Sequence, residues 1–143
     1  MNDKRDNKEY YKFTKIFVVD DSELSRINMI QTLEEHEFNV VGHAGSAKEC
    51  LAQMSPEVNL LIVDVVMPET SGIELAKLLN QNMSNTHIIM ISSLTQEHIL
   101  LESISAGAKD FLVKPFKSED LISSVTKVSE IIRKHHNYCE LGS

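Results

Sequence analysis

Asp20 and Asp21 end one apolar run of this sequence, Asp64 ends another, Ser92 and Ser93 a third, and Lys114 with Pro115 a fourth. Acids, a hydroxyl and an ammonium are the parts of a phosphoryl-transfer site. Three neighbouring carboxylates repel one another, and ionising all of them without a counter-charge is costly. A hard divalent cation resolves the conflict. Mg²⁺ takes oxygen ligands, uses one or two carboxylates, and keeps water or phosphate oxygens for the rest. A carboxylate held beside such a cation can attack a phosphoryl group and become an aspartyl phosphate. Metal, lysine and hydroxyl then assist by positioning and by spreading negative charge. Taken singly, each motif has a plainer reading. Asp-Asp pairs cap helices, Lys-Pro ends strands, and Ser92 or Thr95 is placed to cap a helix starting near Thr95.

These groups act together only if elements bring them to one place. Five short apolar runs occupy 16–20, 38–43, 59–64, 87–92 and 110–114. Three of them (IFVVD, LLIVDV, IIMIS) are nearly continuous in Ile, Val and other large apolar residues. Such runs suit strands covered on both faces, as in a parallel sheet. Helical spacing fills the gaps. Leu24, Ile27, Ile30 and Leu33 predict one apolar face, Ile73, Ala76 and Leu78 or Leu79 a second, and Leu121, Val125, Val128 and Ile132 a third. Ser22, Ser46, Ser71 and Ser118 stand where N-caps are expected. Alternating strand and helix implies right-handed crossovers and a doubly wound α/β layer. Functional groups of open parallel sheets gather at the carboxyl ends of the strands, where each motif falls.

The bulk composition fits this reading. The 143 residues suit one domain, with 42% apolar and 24% charged residues. The net charge of −7 argues against nonspecific binding to nucleic acid or anionic membrane. Cys50 and Cys139 form no CxxC pair and read as plain thiols. Six scattered histidines show no ligand spacing. No apolar run is long enough to span a bilayer, and the polar start has no secretory h-region, which together favour the cytoplasm. The expected organisation is a flexible lead-in over 1–14 with a short helical piece at 8–12, one domain over 15–134, and a tail without periodicity over 135–143.

The ordered set VVDDS, LLIVDVVMPETSG, IIMISS and DFLVKPF resembles the receiver domain of bacterial two-component response regulators, the CheY-like family. The resemblance covers roughly 15–134. It implies a five-stranded parallel sheet of flavodoxin-like order 2-1-3-4-5 with helices on both faces. It implies that Asp64 accepts a phosphoryl group from a sensor histidine kinase or a histidine phosphotransfer protein. Asp20, Asp21, Asp64 and the backbone carbonyl of Val66 would bind Mg²⁺ or Mn²⁺. Ser92 would hydrogen-bond the phosphoryl group, Lys114 would pair with it or with Asp64, and Phe111 would be the aromatic that moves with the hydroxyl residue. The Lys114-Pro115 bond matches one that is cis in the family.

The resemblance also implies a regulatory phosphoacceptor and not a turnover enzyme, with at most self-phosphorylation from small donors and self-dephosphorylation. Its output would be protein–protein binding through the fourth helix, fifth strand and fifth helix, as monomer or phosphorylation-dependent dimer, without direct contact to nucleic acid or membrane. Ser92 stands in place of the commoner threonine and Phe111 lacks a tyrosine hydroxyl. Val66 and Leu94 lie two places beyond Asp64 and Ser92. By the resemblance, residues there tune phosphoryl loss by contacting the attacking water, and aliphatic groups there cannot orient water. A long-lived phosphoryl group is therefore expected. The alternative is an Mg²⁺-dependent phosphohydrolase with an aspartyl nucleophile, but such enzymes usually carry an acid where this chain has Val66. The apolar excess of Ile99, Leu100, Leu101 and Ile104 reads either as an output surface or as deeper burial.

Overall fold

In the computed structural model, which describes residues 13–82 and 85–141, all five apolar runs form strands. The elements, in order, are β1 (Lys15–Val19), α1 (Glu23–Glu35), β2 (Asn39–Ala44), α2 (Ala47–Gln53), β3 (Leu60–Asp64), α3 (Gly72–Asn82), β4 (His87–Ser92), α4 (Glu97–Ser105), β5 (Ala108–Val113) and α5 (Ser118–Leu141). The strands pair in parallel in the order β2-β1-β3-β4-β5. This is the doubly wound, flavodoxin-like sheet expected.

Burial follows position in the sheet. Every residue of central β3 is buried, whereas edge strands β2 and β5 mix exposed and partly covered residues. Alternate side chains of the inner strands enter two separate cores. Ile16, Val18, Leu60, Ile62, Ile89 and Ile91 meet Met29 and Leu33 of α1 and Leu121, Val125, Val128 and Ile132 of α5. Phe17, Val19, Leu61, Val63 and Met90 meet Cys50 of α2 and Leu75, Ala76 and Leu79 of α3. Burying each of these large side chains contributes about 1.5–3 kcal/mol. Cys50 is fully covered, and burial pushes its thiol up to about 12, so it stays protonated as a small apolar group.

Several helix expectations need correction. Leu24 and Ile27 are 71% and 48% exposed, while Met29 and Leu33 are buried. Steps of three residues fall about 60° short of a full turn each time, so a 24-27-30-33 series winds from one side of the helix to the other. The covered stripe runs instead through Ser25, Arg26, Met29 and Leu33. In α3 Leu79 is buried and Leu78 is exposed, and Leu75 joins the core.

Ser22, Ser46 and Ser71 do cap, each accepting the N–H three residues on. Ser118 does not, since it is the first residue of α5. The Asp120 carboxylate caps that end by accepting the Lys117 N–H at 3.1 Å. Gln96 precedes α4 without a side-chain cap, so neither Ser92 nor Thr95 fills that role. Helix α5 continues to Leu141, past the boundary expected at 134. The helical piece expected at 8–12 lies outside the described residues.

Candidate functional site

Register brings the acids together. Val19 lies beside Val63, so the residue after β1 and the last residue of β3 project from neighbouring strand ends. Asp20 is fully buried, Asp64 is 5% exposed, and Asp21 is exposed. One carboxylate oxygen from each of the three lies within 4.8 Å of the others. Asp20 is fixed by the start of α1. Its Oδ1 accepts the Ser22 N–H at 2.9 Å and its Oδ2 accepts the Ser25 hydroxyl at 2.8 Å. Its backbone carbonyl accepts Arg26 Nη1 at 2.7 Å. Asp64 Oδ1 accepts the Val66 N–H at 3.0 Å.

Lys114, one residue beyond β5, ties the two buried acids. Its Nζ lies 2.7 Å from Asp64 Oδ2 and 2.9 Å from Asp20 Oδ2. Its own N–H donates to the Ser92 carbonyl at 2.8 Å, which extends the β4–β5 ladder to the site. The bond to Pro115 is cis. Ser92 is fully buried at the end of β4, and its Oγ accepts the Leu94 N–H at 2.9 Å. Phe111 is half-buried against the core on the α3 side. Val66 is 49% exposed, and Leu94 is partly covered.

The electrostatics follow from two acids sharing one base. Burial pushes the Asp64 carboxyl above its ordinary value; the bonds from Lys114 and Val66 and the lysine charge pull it back, and the Asp20 charge adds to the rise. Burial pulls Lys114 down, but its bonds and charge interactions with Asp64 and Asp20 outweigh this and hold it above its ordinary value. The two upward shifts are consistent, because the lysine has two anionic partners while Asp64 has a shared cation and a second anion. The pocket is left with surplus negative charge and only oxygen donors from its acids, which fits a hard divalent cation.

The structure thus gathers Asp20, Asp21, Asp64, Ser92 and Lys114 at one edge of the sheet, with Val66 and Leu94 bonded to two of them through their N–H groups. Sequence reasoning missed Ser25 and Arg26, which hold Asp20. Their signal was a hydroxyl and a guanidinium on the first turns of the helix that follows the acid pair. It also missed the role of Gly72. A Cβ there would overlap the Asp64 backbone carbonyl, so only glycine lets α3 start against the end of β3.

Comparison with known proteins gives a consistent picture. A family described as the response regulator receiver domain matches residues 16–126. The response regulator SaeR of Staphylococcus aureus (strain USA300) is 27% identical over 124 residues, covering 87% of this chain and 54% of that protein. The chain therefore spans about half the length of the curated relatives it matches. The crystal structure of a CheY-like response regulator receiver domain protein from Methanospirillum hungatei JF-1 superposes with a TM-score of 0.80 at 26% identity, covering 86% of this chain and 98% of that one. The CheX–CheY–BeF3–Mg²⁺ complex from Borrelia burgdorferi gives 0.77 at 26% identity, covering 80% and 88%.

Proposed function

Since this chain belongs to the response regulator receiver domain family of two-component signalling, we propose that it is a switch worked by phosphorylation of Asp64. The observation that carries the proposal is Lys114 bridging the carboxylates of Asp20 and Asp64 in one buried pocket. An Asp64 oxygen attacks the phosphorus of a phosphohistidine on a kinase or phosphotransfer protein. The P–O bond forms as the P–N bond breaks, and the electron pair leaves with the histidine nitrogen. Asp20, Asp21, Asp64 and the Val66 carbonyl would hold Mg²⁺ or Mn²⁺, which supplies positive charge against the phosphoryl oxygens when bound. Lys114 provides a fixed ammonium to the same oxygens, and the Ser92 hydroxyl a donor.

Phe111 and Ser92 then shift together, and the face built from α4, β5 and α5 meets a protein partner. Leu100, Leu101, Ile104 and Val113 are 40%, 55%, 56% and 45% exposed on these elements, which supports the output reading over deeper burial. The phosphohydrolase alternative lacks a second acid at Val66.

Incubation with a small phosphodonor and Mg²⁺ tests the assignment. Wild type is expected to label and Asp64→Asn to fall to background, whereas equal labelling would exclude Asp64. The phosphoryl group is expected to persist for minutes or longer, because Val66 and Leu94 cannot align water. Val66→Gln should shorten that lifetime severalfold, and decay of wild type within seconds would refute the role given to the two aliphatic residues.

A further inference from the structure

Asp20 has no contact with solvent, so its carboxylate depends on protein donors alone. Three reach it. Two come from the start of α1, the Ser22 N–H to Oδ1 and the Ser25 hydroxyl to Oδ2, and the third is Lys114 Nζ, also to Oδ2. Ser25 is itself held in place, since its N–H donates to the capping hydroxyl of Ser22 at 3.2 Å. The backbone donor at Ser22 would be there for any residue except proline. The hydroxyl at Ser25 depends on the side chain. Lys114 differs in being shared with Asp64 and in being a cation, so it is repelled by any positive ion that enters the pocket. A neutral hydroxyl has no such quarrel.

We propose that Ser25 is a positioning residue that sets the affinity of the acidic pocket for a divalent cation, by holding the Asp20 carboxylate in one orientation when Lys114 is drawn away. This rests on reading Asp20, Asp21 and Asp64 as a cation site. The hydroxyl withdraws some electron density from Oδ2, which by itself would weaken ligation. Orientation outweighs this, because a buried carboxylate that loses a donor has no water to replace it. Donors behind a metal ligand typically change affinity by about 10–100-fold.

Isothermal titration of the whole chain with MgCl₂ tests the idea, using wild type, Ser25→Thr and Ser25→Val. Threonine and valine share a shape and a β-branch and differ only in the hydroxyl. Ser25→Thr is expected to bind within about threefold of wild type and Ser25→Val about tenfold more weakly. The rise in Tm produced by Mg²⁺ should shrink in Ser25→Val and be kept in Ser25→Thr. Equal affinity of the two variants, or tighter binding by Ser25→Val, overturns the role of Ser25 while leaving the cation site standing. No heat of binding in wild type overturns the cation site and this inference with it. If Ser25→Val fails to fold, Ser25→Ala carries the same expected loss.

Discussion

Asp20 and Asp64 are 0% and 5% exposed, whereas Leu101 and Ile104 of α4 are 55% and 56% exposed. Each pair lies on the side of the surface where its residue type is less often found. At the acidic edge the chain answers its own departure. Lys114, Ser25 and the N–H groups of Ser22 and Val66 all donate to the two carboxylates. Along α4 only Ile99 packs against the core, and Leu100, Leu101 and Ile104 stay well exposed. The only fully buried residue of that helix is Ser103, whose hydroxyl bonds back to the Ile99 carbonyl of the same helix. One region is nearly complete within the chain, and the other leaves apolar surface that the proposed output partner would cover.

Substitutions at the two regions should therefore behave in opposite ways. The largest stability loss is expected from Gly72→Ala. Alanine normally favours a helix over glycine by about 1 kcal/mol, but here its Cβ would overlap the Asp64 carbonyl, so a net loss of about 3 kcal/mol is expected in urea unfolding, together with weaker phosphoryl labelling. Lys114→Met comes next, since it leaves two buried acids without their cation. The lysine side chain is 24% exposed, which reduces the expected cost to about 2 kcal/mol at neutral pH without metal.

That deficit should narrow on acidification. The folded-state pKa of Asp64 is raised, so its contribution to stability is present below the ordinary carboxylate value of 3.8 and is lost as pH rises through the raised value. Lys114→Met removes the bond and charge that pull the Asp64 carboxyl back down, so between neutrality and 3.8 the folded variant takes up the proton more readily than wild type. A deficit in Lys114→Met that widened over this window in pH-dependent unfolding would contradict the account of the shared cation. The smallest effect is expected at the other region. Leu101→Ser with Ile104→Ser should change stability by about 0.5 kcal/mol or less, as exposed sites generally do. A loss near the about 2–5 kcal/mol expected for Leu33→Ala would mean that α4 packs more deeply and would erase the contrast between the regions.

Much of the acidic edge was readable because strand ends leave local marks. IFVVDD, LLIVD, IIMIS and FLVKP each announce both an apolar strand and the group it delivers, and the parallel order does the rest. The groups that hold Asp20 were not readable in this way, because Ser25 and Arg26 act through hydrogen bonds set by the angle at which α1 leaves β1. Helix faces were legible where the spacing mixed threes and fours, as in Leu121, Val125, Val128 and Ile132, all of which are buried. They were misread in α1, where spacing by threes alone drifts around the axis. The extension of α5 to Leu141 was missed because 135–143 carries no apolar stripe to mark it.

The sparse anchoring of α4 has a consequence for motion. Its one fully buried residue is a serine bonded to its own backbone, and its core contact is the partly covered Ile99. Such a helix has less buried apolar surface to lose on lifting from the sheet than α3, with Ile73, Leu75, Ala76 and Leu79 buried. Its opening free energy is then expected to fall below that of α3 and of the whole domain. The amide protons of α4 should exchange with solvent well ahead of those in α3 and β3, so that the element best placed to meet a partner is also the one most easily remodelled by it.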